Sequence, residues 1–200
     1  MMKKNPKIIG LSGTNGSGKD TVGNILAKQF NYLFVSLTDI LRTELKERGL
    51  ITNRLNMRTL SSEWRSNYGL GVLVDKAISA FEMSDLHKAG LVMASLRNPA
   101  EADEVHKKGG VVMWIDADPR FRYDRIQANL QSRGEERRVD DQITFEEFIS
   151  EEMAEMNNPN PSDKTALDTS KIKLKSDYVL INEYKNFEEL SNKVAQILNL

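Results

Sequence analysis

A glycine-rich stretch near the amino terminus has the residue types and spacing of a phosphate-binding loop. GTNGSGKDT follows an apolar run and precedes an amphipathic one, which predicts a strand, a loop and a helix. Glycines let successive backbone N–H groups point at phosphate oxygens, and the start of the helix adds a favourable dipole. Lys19 would reach the β- and γ-phosphates as a point charge. We therefore predict a nucleotide-phosphate site at Gly13, Thr14, Asn15, Gly16, Ser17, Gly18, Lys19, Asp20 and Thr21.

The residue after Lys19 is an aspartate, where serine or threonine is usual. GSGKDT nevertheless resembles the GSGKGT of adenylate kinases and their relatives, in which the residue after the lysine has no hydroxyl and a threonine comes next. This resemblance implies that Thr21 supplies the hydroxyl toward the phosphates or Mg²⁺, which makes Thr21 the candidate metal-binding residue. Asp20 has two interpretations: a carboxylate facing outward at the helix start, where the dipole favours it, or a direct Mg²⁺ ligand.

Short apolar runs alternate with longer amphipathic runs along the chain. This alternation is typical of a parallel sheet covered by helices, and it predicts a three-layer α/β sandwich with five strands. Strands are predicted at Lys7–Ser12, Tyr32–Ser36, Leu91–Leu96, Val111–Asp116 and Asp177–Asn182. Helices are predicted to begin at Gly18, after Thr38, twice between Asn53 and Met83, near Pro99, Pro119 and Thr144, and at Phe187. The polar, proline-interrupted stretch Asn157–Ser176 is predicted to be a loop.

The composition fits one soluble domain over residues 1–200. A net charge of −1 gives no sign of a nucleic-acid polymer as partner, and no apolar run approaches the ~20 residues of a membrane span. The chain has no cysteine, which excludes disulfides, cysteine-ligated zinc and thiol catalysis. We therefore expect a cytoplasmic protein, a monomer or a homodimer, that acts on small molecules.

Two segments resemble the acceptor side of the nucleoside monophosphate kinases and of the dephospho-CoA kinase-like proteins grouped with them. In SLTDILRTELKERG, Arg42 matches the arginine of the adenylate kinase segment GDMLR, which binds the acceptor's phosphate. In SLRNPAEADEVHKKGG, Arg97 matches the arginine of DGIRNPAEVE, from a further branch of the group. NRLNMRTLSSEWRSNYGLGVLVDKAI resembles acceptor-side helices of that branch, so the acceptor side is expected at about residues 37–85. The resemblance also implies a phosphate-loop kinase fold with strand order 2-3-1-4-5.

Phosphoryl transfer requires the kind of phosphate binding that these arginines can provide. The protein mainly positions two anions in line and spreads the charge that develops between them, and a guanidinium binds phosphate through paired hydrogen bonds. Either arginine could instead form a surface ion pair, for instance Arg42 with a neighbouring glutamate. Asp39 has two interpretations as well: an N-cap of the following helix, or a group that acts as a base toward an acceptor hydroxyl or helps to hold Mg²⁺.

One position departs from the pattern of the resembling families. The strand before the arginine usually ends in an aspartate that organises Mg²⁺ and its waters, and here Ala94 stands at that position. Mg²⁺ would then depend on Thr21, water, the nucleotide phosphates and one of Asp20, Asp39 or Asp116. The missing carboxylate is the main support for the alternative that the protein binds nucleotide without turning it over.

The segment DPRFRYDRIQANLQSRGEERRVDDQITFEEF, after the fourth predicted strand, is rich in arginine. RRVDD resembles the lid arginine and aspartates of adenylate kinases, which implies a short helical lid at about residues 125–155 that closes over the phosphates. Arg133 and Arg138 are the candidates for the transferring group, and Arg125 is the candidate for the nucleotide. The alternative is a solvated helix–turn–helix of mixed charge.

The carboxyl-terminal KSDYVLINEYKNFEELSNKVAQIL resembles the closing strand, loop and helix of dephospho-CoA kinases, ADYVIxNxGsLEEL. In those proteins the loop lies against adenine. Asn182 matches this loop, which makes it a candidate nucleotide-binding residue, although Glu183 and Tyr184 replace the usual small residues.

These features together predict an ATP- and Mg²⁺-dependent phosphotransferase. The expected acceptor is small and phosphorylated, a nucleoside or deoxynucleoside monophosphate. Two alternatives stay open: a dephospho-CoA kinase, whose acceptor is a ribose hydroxyl, and a regulatory protein that binds nucleotide without kinase turnover. ATP and GTP are both compatible with the sequence as donors.

Overall fold

A computed structural model of the chain describes residues 5–84, 87–132, 143–184 and 186–200. Five parallel strands form one sheet in the order β2-β3-β1-β4-β5, as predicted. The strands are β1 Ile8–Gly13, β2 Tyr32–Ser36, β3 Gly90–Ala94, β4 Val111–Asp116 and β5 Tyr178–Ile181. The predicted fold class is therefore confirmed.

Helices cover both faces of this sheet, because successive side chains of each strand point to opposite faces. On β3, Val92 and Ala94 join the core beneath the first and last helices, while Leu91 and Met93 join the core on the other face. Within the described ranges, no helix combines the length and the apolar character needed to cross a bilayer. The helices are α1 Lys19–Gln29, α2 Leu37–Glu47, α3 Arg54–Tyr68, α4 Val72–Glu82, α5 Pro99–Lys107, α6 Pro119–Ser132, α7 Phe145–Met156, α8 Thr169–Lys175 and α9 Phe187–Leu198.

The carboxyl ends of the central strands meet at one edge of the sheet. Ala94 of β3 lies level with Leu11 of β1 and with Ser36 of β2, and Gly13 lies level with Ile115 of β4. The loop after β1, the start of α2 and the turn after β3 are therefore neighbours, at the edge where open α/β sheets bind ligands.

Most predicted boundaries shift by one or two residues, and two of the differences have a clear local cause. β3 ends at Ala94 rather than Leu96, because Ser95 has a φ of +73°, which turns the chain out of the strand. The predicted loop Asn157–Ser176 is wrong over its last third, where α8 forms. Asp168 caps this short helix by accepting a hydrogen bond from the Lys171 backbone N–H, and Ile172 anchors it in the core.

A buried ion pair connects α3 with the first turn of α5. The side chains of Arg65 and Glu101 are 2% and 0% exposed, and the Arg65 Nη2 donates to the Glu101 Oε1 over 2.7 Å. The other carboxylate oxygen accepts from the backbone N–H groups of Arg97 at 2.7 Å and Asn98 at 3.1 Å. Glu101 therefore holds the backbone of Arg97, which lies at the predicted site, as well as the start of α5.

Glu101→Gln is expected to lower the free energy of unfolding by about 3 kcal/mol, because it leaves the Arg65 guanidinium buried without a counter-charge. Denaturant unfolding measures this change. Asp103→Asn is the matched control on the same helix: its carboxylate pairs with Lys175 at the surface, so the effect should stay within about 0.5 kcal/mol. Similar small effects for both variants would contradict this account of Glu101.

Candidate nucleotide and acceptor site

The loop after β1 has a conformation that only glycine permits at its tightest points. Gly13 has a φ of +143°, and a Cβ there would lie 1.9 Å from the Ile115 carbonyl oxygen. Gly18 has a φ of +94°, and a Cβ there would lie 2.5 Å from the Asn182 Nδ2. Glycine is therefore required at both positions. Gly18 leads directly into α1, and the start of this helix presents backbone N–H groups that can bind an anion.

Lys19 lies over this loop and is held by it. Its Nζ donates to the carbonyl oxygens of Gly13 at 3.1 Å and Thr14 at 2.6 Å. Burial and the positive charge of Arg97 together lower the pKa of Lys19 to about 8. A bound polyphosphate would supply the negative charge that this half-buried ammonium lacks.

Two buried polar atoms of the loop region have no hydrogen-bond partner among the described residues. They are the Ser17 Oγ and the Asn182 Oδ1. Asn182 is 2% exposed, and its Nδ2 donates to the Ser17 carbonyl oxygen over 2.7 Å. The structure thus places Asn182 against the back of the phosphate loop; contact with a base stays a prediction.

Sequence reasoning missed the ion pair that clamps the loop from the other side. Arg122 of α6 is 2% exposed and donates to the Asn15 carbonyl oxygen at 2.9 Å, and it forms a two-pronged pair with Glu152 of α7. Glu152 also accepts from the Asn15 backbone N–H at 3.3 Å. No local signal marks this pair, because its members lie 30 residues apart on different helices.

Asp116, at the end of β4, supports the loop rather than facing a ligand. Its carboxylate accepts hydrogen bonds from the Thr14 hydroxyl at 2.8 Å, the Ala117 backbone N–H at 3.0 Å and the Trp114 indole at 3.3 Å. Burial raises the pKa of Asp116, but these donors and Arg122 outweigh it, so the net shift is downward. Asp116 lines neither of the cavities described next.

Two cavities meet at the edge of the sheet. We call the first the donor cavity; its lining includes Gly16, Gly18, Lys19, Asp20, Thr21 and Arg42. We call the second the acceptor cavity; its lining includes Leu37, Leu41, Arg54, Met57, Arg58 and Glu155. Four residues line both cavities and form what we call the junction: Asn15, Thr38, Ser95 and Arg97. The predicted phosphate loop and the predicted acceptor arginine Arg97 are therefore brought together.

Arg42 and Asp39 are engaged with each other. Both lie on α2, where they form an ion pair with each other, and Asp39 lines neither cavity. The N-cap interpretation of Asp39 is wrong, because α2 begins at Leu37 with Ser36 as its N-cap residue. Arg42 lines the donor cavity rather than the acceptor cavity, so its predicted contact with the acceptor's phosphate finds no support in its position.

The lid prediction is only partly within the described residues. Arg133 and Arg138 lie outside them. Arg125 donates to the carbonyl oxygens of Asn182 at 3.1 Å and Tyr184 at 3.4 Å, which joins α6 to the segment after β5. Its guanidinium also lies 4.2 Å from the ring centre of Phe121. A role of Arg125 in nucleotide binding stays a prediction.

Helix α7 presents carboxylates to the arginines of the acceptor cavity. Glu155 pairs with Arg97 and, at 3.3 Å, with Arg58, while Glu151 pairs with Arg54. Burial raises the pKa of Glu155, but the arginines outweigh burial and bring the pKa to about 2. Sequence reasoning passed over Arg54 and Arg58, although their spacing of four places them on one face of α3.

The donor cavity offers oxygen ligands suited to Mg²⁺. The described residues contain no group of three or more acidic, histidine or cysteine side chains that could hold a metal alone. Mg²⁺ is usually bound by one or two protein oxygens together with substrate phosphates and water. The Thr21 hydroxyl and the Asp20 carboxylate line the donor cavity and fit this pattern, whereas Ala94 is fully buried and brings no ligand.

Residues 9–155 match the family described as AAA domain. The chain belongs to this AAA domain family. It is 26% identical over 195 residues to a UPF0200 protein of Pyrobaculum aerophilum, a match that covers 96% of each chain. That name states no reaction.

Solved structures with the same fold include two kinases. One is the shikimate kinase of Acinetobacter baumannii in complex with shikimate, with a TM-score of 0.55 and 15% identity over 96% of this chain and 93% of that one. The other is a gluconokinase of Sinorhizobium meliloti, with a TM-score of 0.50 and 13% identity over 98% of this chain and 94% of that one. At this identity the likeness shows the fold alone, so this AAA domain protein has a phosphate-loop kinase-like fold. Membership of the nucleoside monophosphate kinase or dephospho-CoA kinase branch stays a prediction.

Lys19 is expected to take up a proton when ATP binds at alkaline pH. Its pKa in the free protein is about 8, and a bound triphosphate raises it again, so above that pH binding and protonation occur together. ATP affinity should therefore fall as the pH rises past the free protein's pKa. Titration calorimetry at about pH 9, in two buffers of different ionisation enthalpy, should detect uptake of up to about one proton.

Lys19→Arg is the matched control, because a guanidinium keeps its charge throughout this pH range. This variant should bind ATP without proton uptake. Identical binding heats for the unmodified protein in the two buffers would contradict the lowered pKa of Lys19.

Proposed function

We propose that this protein transfers a phosphoryl group from ATP to a small phosphorylated acceptor, most simply a nucleoside or deoxynucleoside monophosphate. The observation that carries this proposal is the meeting of the two cavities. The donor cavity is lined by the phosphate loop and Lys19, and it shares the four junction residues with a second cavity lined by arginines. Such an arrangement suits in-line transfer between two bound anions.

The lining of the acceptor cavity suits an anionic group on a flat apolar body. Leu37, Leu41 and Met57 give this cavity an apolar wall, and Arg58 and Arg97 bring cationic side chains to the same lining. A nucleoside monophosphate has this combination, with a phosphate for the guanidinium groups and a base for the apolar wall.

The charges at the junction favour an acceptor oxygen that is already ionised. Asn15, Thr38 and Ser95 are neutral, and Arg97 is cationic. Glu155 borders the acceptor cavity, but its ion pairs and its pKa of about 2 make it a poor base. A phosphate oxygen needs no base at neutral pH, whereas a hydroxyl benefits from one. This supports a monophosphate acceptor over the hydroxyl acceptor of a dephospho-CoA kinase.

In this reaction the protein's own groups bind and orient. Lys19 and the loop N–H groups hold the donor phosphates, and Arg97 holds the acceptor's phosphate. Thr21 and Asp20 are the residues that would hold Mg²⁺, which neutralises charge on the donor phosphates when it is bound. Arg125, Asn182, Arg133 and Arg138 remain proposed contacts of the nucleotide and the transferring group.

A second candidate function is nucleotide binding without turnover. Ala94 supports it, because no carboxylate stands at the end of β3. The pairing of Arg97 with Glu155 supports it too, since the cation that would hold the acceptor is already engaged. Against it stands the arginine-lined acceptor cavity, for which an ATP sensor has no use.

A panel of acceptors decides between these functions. We expect ADP release from Mg·ATP to rise strongly with one ribo- or deoxynucleoside monophosphate, and to stay at background with dephospho-CoA, shikimate and gluconate. Lys19→Ala should abolish the stimulated rate, because the donor phosphates lose their cation. Stimulation by a hydroxyl acceptor would overturn the proposed substrate class. Tight ATP binding, with no acceptor in the panel raising ADP release, would favour nucleotide binding without turnover.

Arg97→Ala should raise the acceptor's KM about tenfold and lower kcat, because a charge-assisted contact to the acceptor is lost. Asp39→Asn should leave kcat within about threefold, since Asp39 lines neither cavity. A general base would instead account for about 10²- to 10⁴-fold of the rate. Steady-state kinetics with the stimulating acceptor measures both variants. Unchanged kinetics for Arg97→Ala would remove Arg97 from the acceptor site.

A further inference from the structure

Ser95 has a backbone conformation that is unusual for a serine. It follows β3 directly and has a φ of +73°, in the left-handed region that a Cβ disfavours. Among the described residues, two others that are not glycine have a positive φ: Asn31 and Asn199. Asparagine tolerates this region best, and both asparagines lie just beyond a helix end, where such turns are common. Ser95 is not an asparagine, and it does not lie at a helix end.

The fold makes no internal use of the Ser95 side chain. Its hydroxyl forms no hydrogen bond to any other residue in the described part of the chain, although it is half-buried. Ser12, one strand away, shows the ordinary behaviour, since its hydroxyl donates to the Leu96 carbonyl oxygen over 2.8 Å. A glycine at residue 95 would satisfy the backbone without strain, and the serine adds a hydroxyl that these hydrogen bonds do not use.

The position of this hydroxyl is the one at which the two substrates would meet. Ser95 is one of the four residues that line both the donor and the acceptor cavity. It comes directly after Ala94, and it is therefore the first polar side chain beyond the end of β3. Backbone strain of this kind concentrates at sites where it orients a functional group.

We propose that the Ser95 hydroxyl contacts the phosphoryl group in transit, which makes Ser95 a catalytic residue of the proposed transfer. This inference rests on the proposed function. The bond between the γ-phosphorus and the β,γ-bridging oxygen breaks, ADP leaves with the electron pair, and a phosphate oxygen of the acceptor forms the new bond to phosphorus. Ser95 keeps its proton and donates a hydrogen bond to an oxygen of the moving group, which carries the developing charge.

A neutral donor also suits the charges around it. The moving group and both phosphates are anionic, so a carboxylate at this point would repel them unless a metal ion lay between. Arg97 is the cation at the junction, and Glu155 occupies part of its hydrogen-bonding capacity. A hydroxyl at Ser95 adds a hydrogen bond without adding charge.

The test compares Ser95→Ala with Ser95→Gly. Both remove the hydroxyl, but alanine retains the steric demand at φ +73°, and glycine relieves it. We expect both variants to slow single-turnover phosphoryl transfer to the stimulating acceptor on the order of 100-fold. The Kd for ATP should stay within about threefold, because the donor phosphates are held by the loop. Ser95→Gly alone should raise the melting temperature.

A purely structural role predicts a different pattern. If Ser95→Gly keeps the rate of the unmodified protein while Ser95→Ala loses it, backbone geometry is what matters, and the proposal is overturned. The unmodified rate in both variants would overturn it as well.

Basal ATP hydrolysis separates this proposal from the proposed function, because water then serves as the acceptor. A silent acceptor panel with measurable hydrolysis would refute the monophosphate acceptor, and Ser95 would be tested on the hydrolysis rate with the same two variants. Absence of both stimulated and basal ADP formation in the unmodified protein would overturn both proposals.

Discussion

The cations gathered at the carboxyl edge of the sheet need opposite charges close by, and this need determines how the helices pack around the site. Lys19, Arg97 and Arg122 surround the phosphate loop, and like charges repel strongly where water is largely excluded. Burial is the main reason that the pKa of Lys19 is lowered, and the charge of Arg97 lowers it further. Glu152 and Glu155 on α7 supply the compensating charge.

Helix α7 is held at the site by ion pairs as well as by apolar contact. All of α7 is described, and Phe148 is its one buried side chain. Its glutamates reach the phosphate loop, α3 and the turn after β3 together. The guanidinium groups of the acceptor cavity already pair with glutamate carboxylates. A phosphate that enters this cavity would therefore replace a carboxylate as the partner of a guanidinium group. An unpaired buried cation in the free protein would be far more costly.

The same balance of charge bears on the chemistry. Because residue 94 is an alanine, the end of β3 brings no negative charge to the point where two phosphates would approach each other. The Asp39 carboxylate pairs with Arg42 at the surface. The junction is left with neutral hydrogen-bonding groups and one arginine. These four residues can orient and stabilise anions, and none of the four could deprotonate a hydroxyl.

The sequence by itself determined the fold class and the phosphate loop, because both depend on local patterns, whereas the strand order followed from the resemblance to known kinases. Alternating apolar and amphipathic runs specify a helix-covered parallel sheet, and the glycine and lysine spacing of GTNGSGKDT specifies a loop whose shape is set by its own backbone. The exception at this level was α8, which is too short for its periodicity to stand out in a polar stretch.

Only the tertiary structure decided which charged groups meet. Arg122 and Glu152 are 30 residues apart, and Arg97 and Glu155 are 58 apart, so no periodicity along the chain could have paired them. Asp39 and Arg42 show the converse, since their spacing of three on one helix already allows the ion pair that they form. Ser95 became visible only through its φ and through its place between two cavities. Local patterns encode backbone shape, whereas a binding site is a set of distances between side chains that the packed sheet alone brings together.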